Sequence, residues 1–546
     1  MKNEISNVLN LIESGDTYKA LQNAKSFYEK NKNNIDAIKL LAYSNIQIGN
    51  FEKVIEILKD GYGKREDLKD FDFYNNMGYA LSQIEEFDES ISYLKKALKV
   101  KDDPSTKSCL AEIFLKKREF EKAREIALVA LEDVKKKGND AFSKYINVFL
   151  LISEIYGALG KDGETVTLFN EILQNQFNEN IFFLLSYIDP KLIEKKYIEK
   201  AESLIIANEN EYKSKLERFY YVTPLYFGLA MYYQSKDKKK SEEYFDYGNK
   251  EIFATSRYNS HQYQERIVKT MDLYIKKYKS FDEVDRDQGR KNFFIVGSPR
   301  SGTTLIESVV TANDKVFSGG ELKSGKDLIE KNVLSREQSF SDLNHKFISK
   351  YIRRTSYLRD NYDYIVDKMP ENFLYTGLLQ KLLPKSKIIR IFRHPWDTAI
   401  SLYKQRYVVN IPYSVSFFNI GIFFANFEAI NLFWDEHIKN KKNILDIKYE
   451  DLVSNFALNQ KIIYDFLGIE AKYDEKMRNE FFSPTASTRQ VKEVVHQKSI
   501  KKDEFSHHKA EFIDAFLMQR EYWSTKNISP KDDSFFGYSL KNHWNT

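Results

Sequence analysis

The chain has 546 residues, 42% of them hydrophobic and 15% aromatic, enough for packed cores in two or more domains and too apolar for a disordered chain. A net charge of +5 from 84 basic and 79 acidic residues argues against a nucleic-acid binder. The single cysteine, Cys109, excludes an intrachain disulfide and any cysteine-based zinc cluster. Met1-Lys-Asn-Glu-Ile-Ser opens without the basic and apolar regions of a signal peptide, so a cytoplasmic protein is expected.

The first half repeats. Gly15-Asp-Thr-Tyr-Lys-Ala20, Gly49-Asn-Phe-Glu-Lys-Val54, Glu85-Glu-Phe-Asp-Glu-Ser90 and Arg118-Glu-Phe-Glu-Lys-Ala123 begin 34, 36 and 33 residues apart. Tyr74, Met77, Gly78, Leu81, Phe87, Ser90, Leu94 and Ala97 alternate large and small residues at the spacing of a tetratricopeptide pair. One such pair cannot bury its own apolar face, so stacking is expected. Gly160-Lys-Asp-Gly-Glu-Thr165 reads as the turn of a fifth pair. Gly228 to Tyr233 with Ser241 to Asn249 reads as a last, degenerate one. The charged stretch Lys276 to Lys291 is the expected junction.

From Asn292 onward, Phe293–Val296, Tyr364–Val366, Lys387–Phe392 and Asn443–Ile447 read as short buried strands separated by helical patterns, which predicts a parallel sheet covered by helices. Val408 to Phe427 carries no charge over twenty residues, but Asn410, Pro412, Asn419 and Asn426 favour a loop and a buried helix over a membrane span.

Chemistry collects where these strands end. Phe293-Phe-Ile-Val-Gly-Ser-Pro-Arg-Ser-Gly-Thr-Thr-Leu is a strand, a loop with two glycines in GxxxxG spacing, and a helix start, the arrangement that cradles an anion on backbone N–H groups. Thr303 stands where a nucleotide triphosphatase carries lysine, and the cation comes from Arg300, whose planar fork suits phosphate or sulfate oxygens. Strand-G-x-P-R-S-G-T-T-L resembles the 5′-phosphosulfate loop of sulfotransferases, and with the repeats the chain resembles tetratricopeptide-containing sulfotransferases related to the tyrosylprotein enzymes. The resemblance implies an all-α repeat solenoid over 1–140, degenerate helical repeats and a junction over 141–290, and a P-loop-like α/β sulfotransferase domain over 291–546. Gly248-Asn249 is similar to the dipeptide that often precedes that domain.

The resemblance further implies 3′-phosphoadenosine 5′-phosphosulfate (PAPS) as donor, with Arg300, Ser301, Gly302, Thr303 and Thr304 on its 5′ end. Arg393 and Ser401, in Arg393-His-Pro-Trp-Asp-Thr-Ala-Ile-Ser401, would hold the 3′-phosphate, and Pro395 suits the first position of the intervening helix. Glu321, in Gly-Gly-Glu321-Leu-Lys323, is the implied base for an acceptor hydroxyl, and Lys368, in Asp-Lys368-Met-Pro-Glu-Asn-Phe, the donor to the leaving oxygen. Tyr449, in Tyr-Glu-Asp-Leu, lies near the adenine in related enzymes. Ser487 and Lys492 resemble a late loop over the nucleotide, although the family's following Ser-x-x-x-Trp is here Ser499-Ile-Lys-Lys-Asp503. The repeat groove implies a peptide or protein partner.

Two other classes stay open. Tyr364-Ile-Val-Asp367 also looks like a Walker B strand, as in a P-loop kinase or nucleotide triphosphatase, and a repeat scaffold with an inactive domain fits as well. His507-His508 lacks the acidic or cysteine companions of a metal site and reads as surface, so no metal is expected.

Overall fold

The computed structural model describes the chain outside residues 1, 64, 139–140, 212–214, 257, 280–288, 335–339, 359–360, 408–410, 439–440, 471–503, 531, 533, 537 and 540–546. Ser487, Lys492, the Ser499–Asp503 departure and most of the expected junction fall outside the described residues. The chain divides into two compact units, Met1–Thr165 and Val166–Thr546.

The first unit opens with helix pairs: α1 (Lys2–Glu13) with α2 (Thr17–Lys30), α3 (Ile35–Gln47) with α4 (Phe51–Tyr62), α5 (Phe71–Gln83) with α6 (Phe87–Val100), and α7 (Pro104–Lys116) with α8 (Phe120–Lys136). The periodicity has a backbone cause. Gly15, Gly49, Glu85 and Arg118, at matching places in the four turns, all take left-handed φ, at 80°, 74°, 65° and 61°. The side chains of Asn34, Asp70 and Asp103 accept from the amides of Ala37, Phe73 and Thr106 and cap α3, α5 and α7, satisfying donors that a helix start leaves open. Large meets small inside each pair: a Cβ on Gly78 would stand 2.7 Å from Leu94, and Ser90 Oγ donates to the Gly78 carbonyl at 2.6 Å. Gly160 makes a further left-handed turn (φ 68°) between the helices Ile146–Ala158 and Asp162–Asn175. The helices α5, α7 and Ile146–Ala158 line a cleft of about 480 Å³ with Asn75, Tyr79, Cys109, Glu112, Asn147 and Glu154. Burial pushes the Cys109 thiol up to about 12, so it stays a thiol at neutral pH.

In the second unit the helices Thr223–Tyr233 and Lys238–Thr255 repeat the pair logic. Ser241 Oγ donates to the Ala230 carbonyl at 2.7 Å, and a Cβ on Gly248 would stand 2.7 Å from the Phe227 ring. Asn249 is buried and donates to the Tyr403 carbonyl at 2.9 Å, which gives the Gly248-Asn249 dipeptide a structural reason.

Beyond it lies a five-stranded sheet in the order β2-β3-β1-β4-β5, formed by β1 (Asn292–Gly297), β2 (Val316–Ser318), β3 (Tyr364–Asp367), β4 (Lys387–Phe392) and β5 (Ile444–Lys448). All four pairings are parallel. Phe293, Ile295, Ile389 and Ile391 pack one face against Ile306, Val310, Ile463 and Leu467, while Phe294, Val296, Ile388 and Phe392 join the larger core on the other. The helix Phe417–His437 is, among the described residues, the one long and apolar enough to cross a membrane, and 83% of its apolar window is buried within the fold. Arg390 of β4, 4% exposed, bonds Asp446 of β5 through two nitrogens at 2.7 and 2.6 Å, so the buried guanidinium keeps its charge in a bidentate pair.

Candidate active site

In a parallel sheet every strand delivers its following loop to the same edge, and ligands gather there. β1 runs into Ser298–Gly302 and the helix Thr303–Thr311. Glycine is required at both ends of this loop. A Cβ on Gly297 would stand 2.6 Å from the Ile391 carbonyl oxygen, and one on Gly302, at φ 105°, would stand 2.5 Å from Tyr449 Cδ2. Arg300 also takes a left-handed φ of 68°, a strained setting for a side chain of this kind and one that concentrates at functional sites. Ser301 Oγ donates to the Ser298 carbonyl at 2.7 Å and tightens the turn.

Three sequence motifs meet at this loop. Arg300 Nε donates to Ser401 Oγ at 3.1 Å across 101 residues, and Arg393 Nη1 donates to the Arg300 carbonyl at 3.0 Å. Ser401 sits on the helix Pro395–Tyr403, with Pro395 at its first position as the motif predicts. The Arg393 guanidinium lies over the Tyr449 ring, 4.5 Å from its centre, a cation–π contact that fixes both side chains. Ser301, Thr303 and Thr304 are buried beside them, with their hydroxyls on the first turn of the helix Thr303–Thr311 or just before it. Two guanidinium groups, hydroxyls and a helix N-terminus form a set of donors suited to a multiply charged anion, and the two close-packed glycines leave it the backbone.

A second cluster starts from β2 and β3. Lys368, directly after β3, is fully buried, and its Nζ donates to Glu321 Oε1 at 2.7 Å. The Glu321 side chain is 44% exposed, so the pair faces solvent through the carboxylate alone. The backbone joins the two segments as well: the Gly319 amide donates to the Val366 carbonyl and the Lys368 amide to the Gly320 carbonyl, each at 2.8 Å. On the buried side Glu307 Oε2 stands 3.9 Å from Lys368 Nζ, while Ser318 Oγ donates to Glu307 Oε1 at 2.7 Å. Glu307 escapes the sequence reading, although a carboxylate inside the apolar run Thr304-Leu-Ile-Glu-Ser-Val-Val310 is a signal in itself. It lies one turn along the same helix whose N-terminus carries Thr303 and Thr304, which ties the two clusters to one rigid element. Lys323 opens the helix Lys323–Leu334 and is exposed.

Asp367 bears on the Walker B alternative. It is 1% exposed, accepts from the Tyr351 hydroxyl at 2.8 Å and takes the Met369 amide at 3.2 Å, so it is built into the core. His507 and His508, expected to lack acidic companions, have them: Asp246, 261 residues before His507, accepts from both at 3.1 Å, and Glu511, three residues after His508, lies 3.2 Å from its Nδ1.

Residues 292–475 match the family model described as the sulfotransferase family, and residues 73–180 match the fourth ARM domain of tetratricopeptide repeat protein 21. A protein of Aquifex aeolicus (strain VF5), described as uncharacterized, is 23% identical over 294 residues, or 49% of this chain, and the chain spans 37% of that relative's length. Similar solved structures include a tetratricopeptide repeat protein from Parabacteroides merdae (12% identity, 48% of this chain and 96% of that one, TM-score 0.30). They also include the sulfotransferase domain from the curacin biosynthetic pathway (16%, 45% and 99%, TM-score 0.27), and a mouse sulfotransferase complexed with PAP (18%, 45% and 87%, TM-score 0.25). The strand-end motifs and the family match agree in extent: residues 292–475 are a sulfotransferase-family domain on a parallel sheet, and a tetratricopeptide-like helical-repeat region precedes it.

Proposed function

We propose that this chain transfers a sulfuryl group from PAPS to an acceptor hydroxyl. The observation that carries the reading is the meeting of Arg300, Arg393, Ser401 and Tyr449, from three strand ends, around one glycine-tight loop at a helix N-terminus. The loop and its first helical turn take the 5′-phosphosulfate, and Arg393 with Ser401 takes the 3′-phosphate. The acceptor oxygen attacks sulfur in line with the leaving phosphate oxygen. The new S–O bond forms as the old one breaks, and the acceptor proton passes to Glu321. Lys368 faces the charge that develops on the leaving oxygen, and its full burial makes that charge count for more than it would in water.

A triphosphatase reading has less support. Thr303 occupies the position of the P-loop lysine, and Asp367 is consumed by Tyr351 and the Met369 amide rather than held open for magnesium. The intact Lys368–Glu321 pair also weighs against an inactive scaffold. The repeats supply a cleft of about 480 Å³, and we assign them to a protein or peptide partner in the cytoplasm, with the acceptor a protein, carbohydrate or small-molecule hydroxyl.

The test is thermal unfolding with adenosine 3′,5′-bisphosphate against magnesium-ATP. At a hundred times its dissociation constant a ligand stabilises by about 2.7 kcal/mol, a shift of a few degrees. Stabilisation by the bisphosphate alone, lost in Arg393→Ala, supports the donor site. Stabilisation by magnesium-ATP alone overturns it.

A further inference from the structure

Away from the strand ends, a compact group of imidazoles and carboxylates joins three elements of the second unit. Asp246 and Glu242 stand one turn apart on the helix Lys238–Thr255, His507 and His508 form the short turn Ser506–His508, and Glu511 opens the helix Lys509–Ser524. Both imidazoles aim Nε2 at the same carboxylate: His507 at Asp246 Oδ2 and His508 at Asp246 Oδ1, each at 3.1 Å. The candidate ligand atoms of the three residues lie within 4.8 Å of one another.

We propose that Asp246, His507 and His508 form a binding site for a divalent metal ion of the zinc type, which clasps the turn Ser506–His508 to the helix Lys238–Thr255. Zinc binds histidine nitrogen and carboxylate oxygen at about 2.0–2.1 Å, which puts tetrahedral ligand atoms roughly 3.3 Å apart, close to the observed separations. Imidazole with carboxylate is a donor set for this class of ion.

The surroundings are those of a ligand set held from behind. Metal-bound histidines usually donate their second ring N–H to a carboxylate. Here His508 Nδ1 is within hydrogen-bond reach of Glu511 Oε2 at 3.2 Å, and His507 Nδ1 has Glu242 Oε2 beside it at the longer ion-pair distance of 3.8 Å. Tyr403 donates its hydroxyl to Asp246 Oδ1 at 2.8 Å and orients the carboxylate. A second observation points the same way: Glu242 Oε1 is buried with no hydrogen-bond partner among the described residues, a cost that a nearby cation would offset. Three carboxylates thus surround two imidazoles, an excess of negative charge that a dication balances. His507 is half exposed, which leaves a way in, and three protein ligands leave a fourth position for water. On binding, the cation takes the place of the Nε2 protons, which go to solvent, and nothing is oxidised or reduced. Tyr403 follows Ser401 by two residues, so the clasp bears on the end of a helix that carries a proposed nucleotide contact.

The full chain, stripped with chelator and titrated with zinc alone by calorimetry, is expected to bind one ion per chain and to gain thermal stability that chelator reverses. His507→Ala with His508→Ala should abolish that event, and Glu511→Gln should weaken it about 10–100-fold. His507 is exposed enough for the single His507→Ala variant to fold, with loss of affinity as its readout. Cobalt in place of zinc should give the intense visible bands of a tetrahedral site. No binding by the wild type, or unchanged zinc affinity in the double variant, overturns the proposal and leaves these contacts as plain hydrogen bonds.

Discussion

Replacing Gly302 with alanine isolates the geometry on which the candidate anion site depends. The new Cβ would lie 2.5 and 3.0 Å from Tyr449 Cδ2 and Cε2 and 3.1 Å from Ile391 Cδ1. A left-handed φ of 105° costs an alanine about 1–2 kcal/mol, and overpacking of this kind typically adds about 1–3 kcal/mol. Reduced freedom of the unfolded chain returns about 0.4–1 kcal/mol, so the net loss is on the order of 1–4 kcal/mol. Tryptophan fluorescence in urea reads it selectively, because all four tryptophans of the sequence come after residue 165, where the second unit begins, and Trp396, Trp434 and Trp523 are built into that unit. Displacing Tyr449 also disturbs the ring beneath Arg393, so affinity for adenosine 3′,5′-bisphosphate should fall at least about tenfold, or 1.4 kcal/mol. In a Tyr449→Ala background the larger share of the steric loss should go, leaving the Ile391 contact and the backbone part. Wild-type midpoint and wild-type affinity in Gly302→Ala would refute the reasoning.

Glu321→Ala should lower turnover by about 10²–10⁴-fold while bisphosphate affinity stays near wild type, since Glu321 touches Lys368 rather than the loop; wild-type rates would remove it as the base. In the first unit, Gly78→Ala pushes a Cβ to 2.7 Å from Leu94 and should cost about 1–3 kcal/mol by circular dichroism in denaturant. Burial raises the Glu428 carboxyl to about 7 despite its Arg520 partner. A raised folded-state value stabilises below the unfolded value of 4.5 and loses that contribution as pH rises through 7, so wild type should lose stability relative to Glu428→Gln between pH 5 and 8, on the order of 1–3 kcal/mol. A pH-independent difference in melting temperature would contradict this.

Much of the fold is legible locally because the signals are short in range. The left-handed turns at Gly15, Gly49, Glu85 and Arg118 and the caps at Asn34, Asp70 and Asp103 lie within a few residues of the groups they satisfy. Four of the five strands announce themselves as apolar runs. The fifth, β2, is three residues long, too short to show a period, and forms only because β3 offers it an edge.

By itself the sequence determined which elements form and which residue types stand at their ends, because propensity, capping and turn chemistry act over a handful of positions. What meets what was decided by tertiary structure. Arg300 reaches Ser401 because parallel pairing of β1 and β4 brings their ends together, and Glu307 backs Lys368 because the helix after β1 packs beside β2 and β3. Asp246 finds His508 across 262 residues, a contact with no local correlate, since only chain packing fixes the distance between groups so far apart in sequence.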